Sequence, residues 1–265
     1  MMHRTIVLAL LLAVSLVGKG QTKYEQFIKA AKKGDPEAQY QIGQCYERGG
    51  RGVEKDLNLA FEWFSKAASQ GLAKAQCDLG VFYARGLGVV VDNSKAVYWF
   101  RQAAEQNYTT AQFSLGYCYH YGQGVEKDLK QACYWYRKAA EGDNTIAQVN
   151  LAVCFVSGLG VEQDFKQAAY WYQRAAELGD RRAQENIADF YLQGKGVDKD
   201  ISQAAYWYEK AAENGSAYGQ VRIGICYEKG LGVLKDTNKA IYWYEKSASK
   251  GNRKAKENLA RLKGE

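Results

Sequence analysis

The chain has 265 residues, 47% of them hydrophobic and 25% charged, with 27 glycines, a single proline at Pro36 and a formal charge of +7. That is material for one or two folded cores and excludes a disordered or collagen-like chain. Lys and Arg are spread along the sequence and paired with Glu and Asp at helix spacing, with no run of five or six basic residues, so a charge-driven nucleic-acid or anionic-lipid partner is not expected.

At the N-terminus, His3 and Arg4 precede an apolar run from Ile6 to Val17 that ends at the small residues Gly18 and Gly20. This is the layout of a secretory signal peptide over residues 1–20, with a membrane anchor as the alternative for a run too short to span comfortably. Its removal takes Arg4 and Lys19 away and leaves a formal charge of +5. The expectation is an extracytoplasmic protein, periplasmic or secreted, with no membrane span after signal removal. Next comes "YEQFIKAAKKGD" from Tyr24, which predicts an N-terminal capping helix within residues 21–37.

From there the chain repeats. "AQCDLGVFYARGLGV" from Ala75 returns in altered form from Ala111, Ala147, Ala183 and Gly219, a constant step of 36 residues, and Ala38 opens an earlier copy with one extra loop residue. A fixed period of this size marks a solenoid. Six copies are predicted over 38–74, 75–110, 111–146, 147–182, 183–218 and 219–254, closed by a half-copy at 255–265 that forms a C-terminal cap.

Each copy predicts two helices. In the first, Ala111, Leu115 and Tyr119 recur at steps of four and line one stripe. Gly116 lies between them, and Ala152 and Ala188 stand there in two copies, so a small residue is required, expected to admit a neighbouring backbone. The helix should stop at Gly86, Gly122, Gly158, Gly194 and Gly230, and the glycine two residues later turns the chain back. Asp56, Asp92, Asp128, Asp164, Asp200 and Asp236 are placed to cap the second helix, with Gln131, Gln167 and Gln203 completing capping boxes. Its inward stripe is Ala132, Trp135, Tyr136, Ala139 and Ala140, repeated as Ala168, Trp171, Tyr172, Ala175 and Ala176. The fold class is therefore all-α, a right-handed α/α superhelical solenoid of six helix pairs with half-repeat caps.

The pattern "AQ..LG..Y..G.GV..D..KA..WY.KAA.." resembles the Sel1-like repeat (SLR) family, a relative of the tetratricopeptide repeat, over about Tyr24 to Gly264. The 36-residue step and the "GxGV" loop distinguish it from the 34-residue tetratricopeptide pattern. The resemblance implies a non-enzymatic scaffold or adaptor that binds a protein or peptide partner, as a monomer and without a cofactor. By analogy with tetratricopeptide proteins, it places Val81, Phe113, Tyr117, His120, Tyr121, Ile146, Val149, Val153 and Val156 along a concave groove. Cys77, Ala84, Thr110 and Ser157 adjoin them, and Arg182, Glu185 and Asp189 form a charged rim.

The residues offer little for catalysis. Beyond the signal region His120 is the one histidine, which excludes a metal site built on several histidines. The glycine loops lack the preceding strand and spacing of a phosphate cradle, and the repeated aspartates lack the companion carboxylates of a calcium loop. Some cysteine-rich relatives are linked to β-lactam binding or hydrolysis, an alternative function here. "SASK" at Ser247–Lys250 is the one Ser-x-x-Lys string, without the partner motifs of that class. A further alternative is a lumenal quality-control adaptor, for which Asn107-Tyr-Thr and Asn214-Gly-Ser supply glycosylation sequons. Of six cysteines, Cys118 and Cys133 on facing helices of one pair are the candidate disulfide, the other reading being six small buried residues.

Overall fold

The computed structural model describes residues 24–50 and 52–264, so the expected signal segment lies outside the described residues. A first compact unit, ending at Asp128, contains α1 (24–32), α2 (Pro36–Arg48), α3 (Leu57–Ser69), α4 (Ala73–Arg85), α5 (Asn93–Glu105) and α6 (Thr109–Tyr121). The second begins at Leu129 with α7 (Leu129–Glu141), α8 (Thr145–Ser157), α9 (Phe165–Glu177) and α10 (Arg181–Gln193). It continues through α11 (Ile201–Glu213), α12 (Ala217–Lys229), α13 (Thr237–Ala248) and α14 (Arg253–Lys263). The division falls inside the third copy, where the repeat shows no break. No described helix is long and apolar enough to cross a membrane.

Within each unit the copies are helix pairs, the even-numbered helix first and the odd-numbered one second. The first helix ends where predicted: Gly86, Gly122, Gly158, Gly194 and Gly230 take left-handed conformations at φ 66–69°, a region that penalises a Cβ. Asp56, Asp92, Asp164, Asp200 and Asp236 cap the second helices through their carboxylates; Asp164 Oδ1 accepts from the backbone N–H of Lys166 at 2.9 Å and Gln167 at 3.0 Å. The capping boxes expected from Gln167 and Gln203 are not formed. The aspartate N–H each would satisfy already donates to a carbonyl of the preceding helix, Asp164 to Phe155 and Asp200 to Tyr191, both at 3.0 Å.

The small position of the first helix has a different neighbour from the expected backbone. A Cβ on Gly80 would meet the Phe100 ring at 2.7 Å, and on Gly224 the Tyr244 ring at 2.5 Å, so the missing side chain makes room for an aromatic of the second helix. The second loop glycine is where backbones do meet. A Cβ on Gly88 or Gly124 would collide with the Leu57 or Asn93 carbonyl, and one on Gly160, Gly196 or Gly232 with that of Leu129, Phe165 or Ile201. Each loop thus seats on the first turn of the preceding copy's second helix.

Adjacent copies share a further bond. The glutamine of each "AQ" pair is buried and donates to a carbonyl in the last turn of the preceding second helix: Gln76 to Ala68, Gln112 to Ala104, Gln148 to Ala140, Gln184 to Ala176 and Gln220 to Ala212, at 3.1–3.2 Å. Such a carbonyl, left unpaired in the interior, would cost on the order of 1–3 kcal/mol. Around these bonds the predicted stripes are buried: Leu79, Leu115, Leu151, Ile187 and Ile223 are at most 1% exposed, and Trp135, Tyr136, Trp171 and Tyr172 at most 9%. Between copies the chain turns through Gly71, Gly179, Gly215 and Gly251, where Asn107 and Asp143 stand at φ 61° and 60° in two copies.

Loop seating makes the two kinds of glycine unequal. Gly160→Ala adds a backbone collision to left-handed strain, whereas Gly179→Ala, with open space around it at φ 89°, adds strain alone. Urea unfolding should show a loss of about 1 kcal/mol for Gly179→Ala and at least about 2 kcal/mol for Gly160→Ala. Equal losses would mean that the seating contributes nothing.

Candidate partner-binding surfaces

In the first unit α6 presents Phe113, Tyr117 and Tyr121 at steps of four. Ring centroids are 6.3 Å apart for Phe113 and Tyr117 and 4.5 Å for Tyr117 and Tyr121, with His120 4.6 Å from Tyr121. Tyr117 is 39% and Tyr121 58% exposed, more than packing alone requires. Beside them α4, α5 and α6 enclose an open cavity of about 350 Å³, lined by Val81, Ala84, Phe100, Phe113 and Tyr117, with Arg85 and Gln123 among its polar edges. Val81, Phe113 and Tyr117 thus line one cavity. Cys77, expected beside them, is 1% exposed and belongs to the core. Burial pushes the His120 imidazole below its ordinary pKa, and the Lys127 ammonium adds to the shift.

In the second unit α8 exposes Ile146 and Val153, while Val149 and Val156 are half-buried. A shallow cavity of about 610 Å³ gathers Ile146, Val149 and Asn150 against Asp180, Arg181 and Arg182. Val153 and Val156 do not line it. Two of the expected rim charges are engaged within the protein: Tyr208 and Tyr218 donate to Asp189, and Ser216 donates to Glu185 at 2.5 Å. They brace α10 against α11 and α12 and are not available to an incoming ligand as free charges.

All six cysteines are buried free thiols, so the bridge expected between Cys118 and Cys133 is not formed in this structure. Burial pushes Cys77 up to about 12, and Cys118 and Cys226 up to about 11, which suits inert core residues. Ser247 of "SASK" is fully buried and its hydroxyl donates to the Ala217 carbonyl at 3.0 Å, while Lys250 Nζ donates to the Gly215 carbonyl. That serine holds a core position where other copies carry alanine. Among the described residues no cluster of His, Cys, Asp and Glu is arranged to hold a metal ion.

A second surface went unread in the sequence. Tyr98 in the first unit and Tyr134, Tyr170, Tyr206 and Tyr242 in the second, one in each copy but the first, are 48–54% exposed, each edge-on to the tryptophan that follows it at about 5 Å between centroids. The signal was the recurring "YW" dipeptide, whose first residue lies beside the inward stripe and not on it.

The Sel1 repeat model matches residues 36–72, 73–108, 109–144, 145–180, 181–216 and 217–252. The chain belongs to the Sel1 repeat family. Among solved structures it resembles c5321, a protective antigen of uropathogenic Escherichia coli displaying an SLR fold, with 34% identity and a TM-score of 0.87 over 90% of this chain and 51% of that one. A Sel1 repeat protein from Oxalobacter formigenes is 38% identical, with a TM-score of 0.79 over 90% and 68% of the two chains. A curated relative, the ERAD-associated E3 ubiquitin-protein ligase component HRD3A of Arabidopsis thaliana, is 43% identical over 58 residues, 22% of this chain and 9% of that protein. The chitin synthase regulator SKT5 of Saccharomyces cerevisiae is 44% identical over 63 residues, 23% of this chain and again 9% of the relative. This chain thus spans about a tenth of these two curated relatives. Sel1 repeat proteins generally mediate protein–protein interactions, and their fold is generally a non-enzymatic scaffold.

The lowered imidazole sets a pH dependence. The folded state prefers neutral His120, so its contribution is present above the ordinary histidine range and is lost as pH falls below about 6.5. Between pH 7 and pH 5 the wild type should lose more stability than His120→Gln in parallel urea titrations. Superimposable pH profiles would remove His120 as the source.

Proposed function

We propose that this protein is an exported, monomeric, non-enzymatic scaffold that binds a peptide or helix of a protein partner through the aromatic face of α6. The observation that carries this reading is the cavity bounded by Val81, Phe113 and Tyr117, open to solvent beside two tyrosines that are 39% and 58% exposed. An apolar hollow of this size accepts one anchor side chain, and rigid aromatics supply contact area at low entropic cost. The Arg85 side chain at its edge adds a polar contact beside that anchor. The α8 face, with Ile146 and Val149 against Arg181 and Arg182, offers a second contact region of the same character. Export rests on the apolar run at residues 6–17 behind His3 and Arg4.

A lumenal quality-control adaptor is the second reading, favoured by the local similarity to HRD3A and by the exposed Asn107 of the first sequon. Asn214 of the other sequon is already engaged, donating to Gln184 Oε1 at 3.0 Å. A mass shift on glycosidase treatment of protein from a eukaryotic secretory host would support that reading.

The main reading is tested by capture of partners on immobilised residues 21–265, comparing wild type with Phe113→Ser/Tyr117→Ser. The expected result is a specific partner whose affinity falls at least about tenfold in the variant, with little change in thermal midpoint. Lost stability with unchanged partner binding would make the two aromatics core residues and exclude the α6 face as the docking site.

A further inference from the structure

Cys133 on α7 and Cys154 on α8 meet inside the second unit, 3% and 1% exposed. The Cys133 thiol donates to the Leu159 carbonyl at 2.8 Å and is hydrogen-bonded to Cys154, while the Leu159 N–H donates to the Cys154 carbonyl at 3.0 Å. One loop residue therefore touches both cysteines and holds them side by side. Repeat register shows how particular this is. Cys45, Cys118, Cys154 and Cys226 occupy one position of the first helix, and the position 21 residues before it holds Val97 for Cys118 and Ala205 for Cys226. Only at Cys133 and Cys154 does that register supply two sulfurs.

We propose that Cys133 and Cys154 are an oxidisable pair that closes a disulfide between α7 and α8. The oxidant is a small-molecule disulfide, RSSR, acting as the chain folds, before the loop at Leu159 covers both sulfurs. In the first exchange the Cys133 thiolate attacks one sulfur of RSSR; a Cys133–SR bond forms, the RS–SR bond breaks, and the released thiolate takes up a proton. In the second, the Cys154 thiolate attacks the Cys133 sulfur and displaces the second RS⁻, which is protonated in turn. The two cysteine sulfurs have then given up two electrons and two protons, and RSSR has become two RSH. The exchange balances equally with Cys154 attacking first; in the folded chain the Cys154 hydrogen bond and the Arg137 guanidinium hold Cys133 below the ordinary thiol range, while Cys154 is pushed up by that same bond and by burial. The bridge would pin α8, whose Ile146 and Val149 line the cavity of the second unit.

The test is refolding of full-length protein in a mixture of oxidised and reduced glutathione, with free thiols alkylated before intact-mass measurement and tryptic mapping. The expected result is four alkylated cysteines at a mass about 2 Da below that of the chain carrying four alkyl groups, a tryptic peptide containing Cys133 linked to one containing Cys154, and a thermal midpoint about 5 °C higher than after reduction. Cys133→Ala, which introduces the residue that Ala169 and Ala205 hold in its register, and Cys154→Ala should both fold and both lose the 2 Da change. Six free thiols after refolding, a glutathione adduct that never resolves, or a linked peptide joining Cys118 to Cys133 would each overturn the pairing.

Discussion

The structure depends on how each copy is fastened to the one before it. Two contacts in sequence-distant places do this in each unit: the buried glutamine that opens a first helix ties off the end of the preceding second helix with a hydrogen bond, and the second loop glycine lets the loop rest on that helix's start. Both ends of α3, α5, α7, α9 and α11 are therefore held by the following copy. In a solenoid each copy contacts only its neighbours, so the junction, not a central core, sets stability. Gln148, fully buried at such a junction, shows the cost accepted for it: an amide is taken out of water to pair one carbonyl, that of Ala140.

Because the junctions use the same atoms in every copy, they explain the invariable part of the repeat and leave the variable part for other work. The alanines that line the second helices are small because another helix packs there; the loop glycines are glycine because a carbonyl occupies the space of a side chain. Charged side chains add little: most of the ion pairs, such as Arg253 with Glu257, sit where water screens them. Arg261, which reaches both oxygens of the mostly covered Glu228, is better placed and ties the closing helix α14 to α12.

The fold was legible because period, stripe and punctuation all gave one answer. Helix ends at Gly122 or Gly158 and helix starts at Asp164 or Asp200 follow from local chemistry that needs no tertiary context. What the sequence hid was the identity of long-range partners. The capping role of Gln167 was plausible until the N–H of Asp164 was found bonded to Phe155, nine residues earlier and in another helix. Gln112 stands beside the Ala111, Leu115 and Tyr119 stripe, and nothing local reveals that it reaches back to Ala104. At the surface, positions could be assigned to a face but not to a role. Phe113 and Val149 occupy one register position and both line cavities, whereas Cys77 in the same register is core, and Asp189 and Glu185 are spent on neighbouring hydroxyls.

Partner choice in such a protein must come from the positions that the junctions do not fix. At the register of Phe113 the copies carry Cys77, Phe113, Val149, Glu185 and Val221, and at that of Tyr117 they carry Val81, Tyr117, Val153, Asp189 and Ile225. The first unit thus ends in an aromatic face, and the second runs from an aliphatic one on α8 to an acidic one on α10 whose charges are bonded internally. Within the first unit, α4 to α6 form a hollow wide enough for one large side chain; within the second, α8 forms a shallower surface flanked by two arginines. Identical scaffolding with non-identical faces is how a repeat chain gains specificity without a new fold: each copy is held by its glutamine and glycine and stays free to vary where it meets a partner.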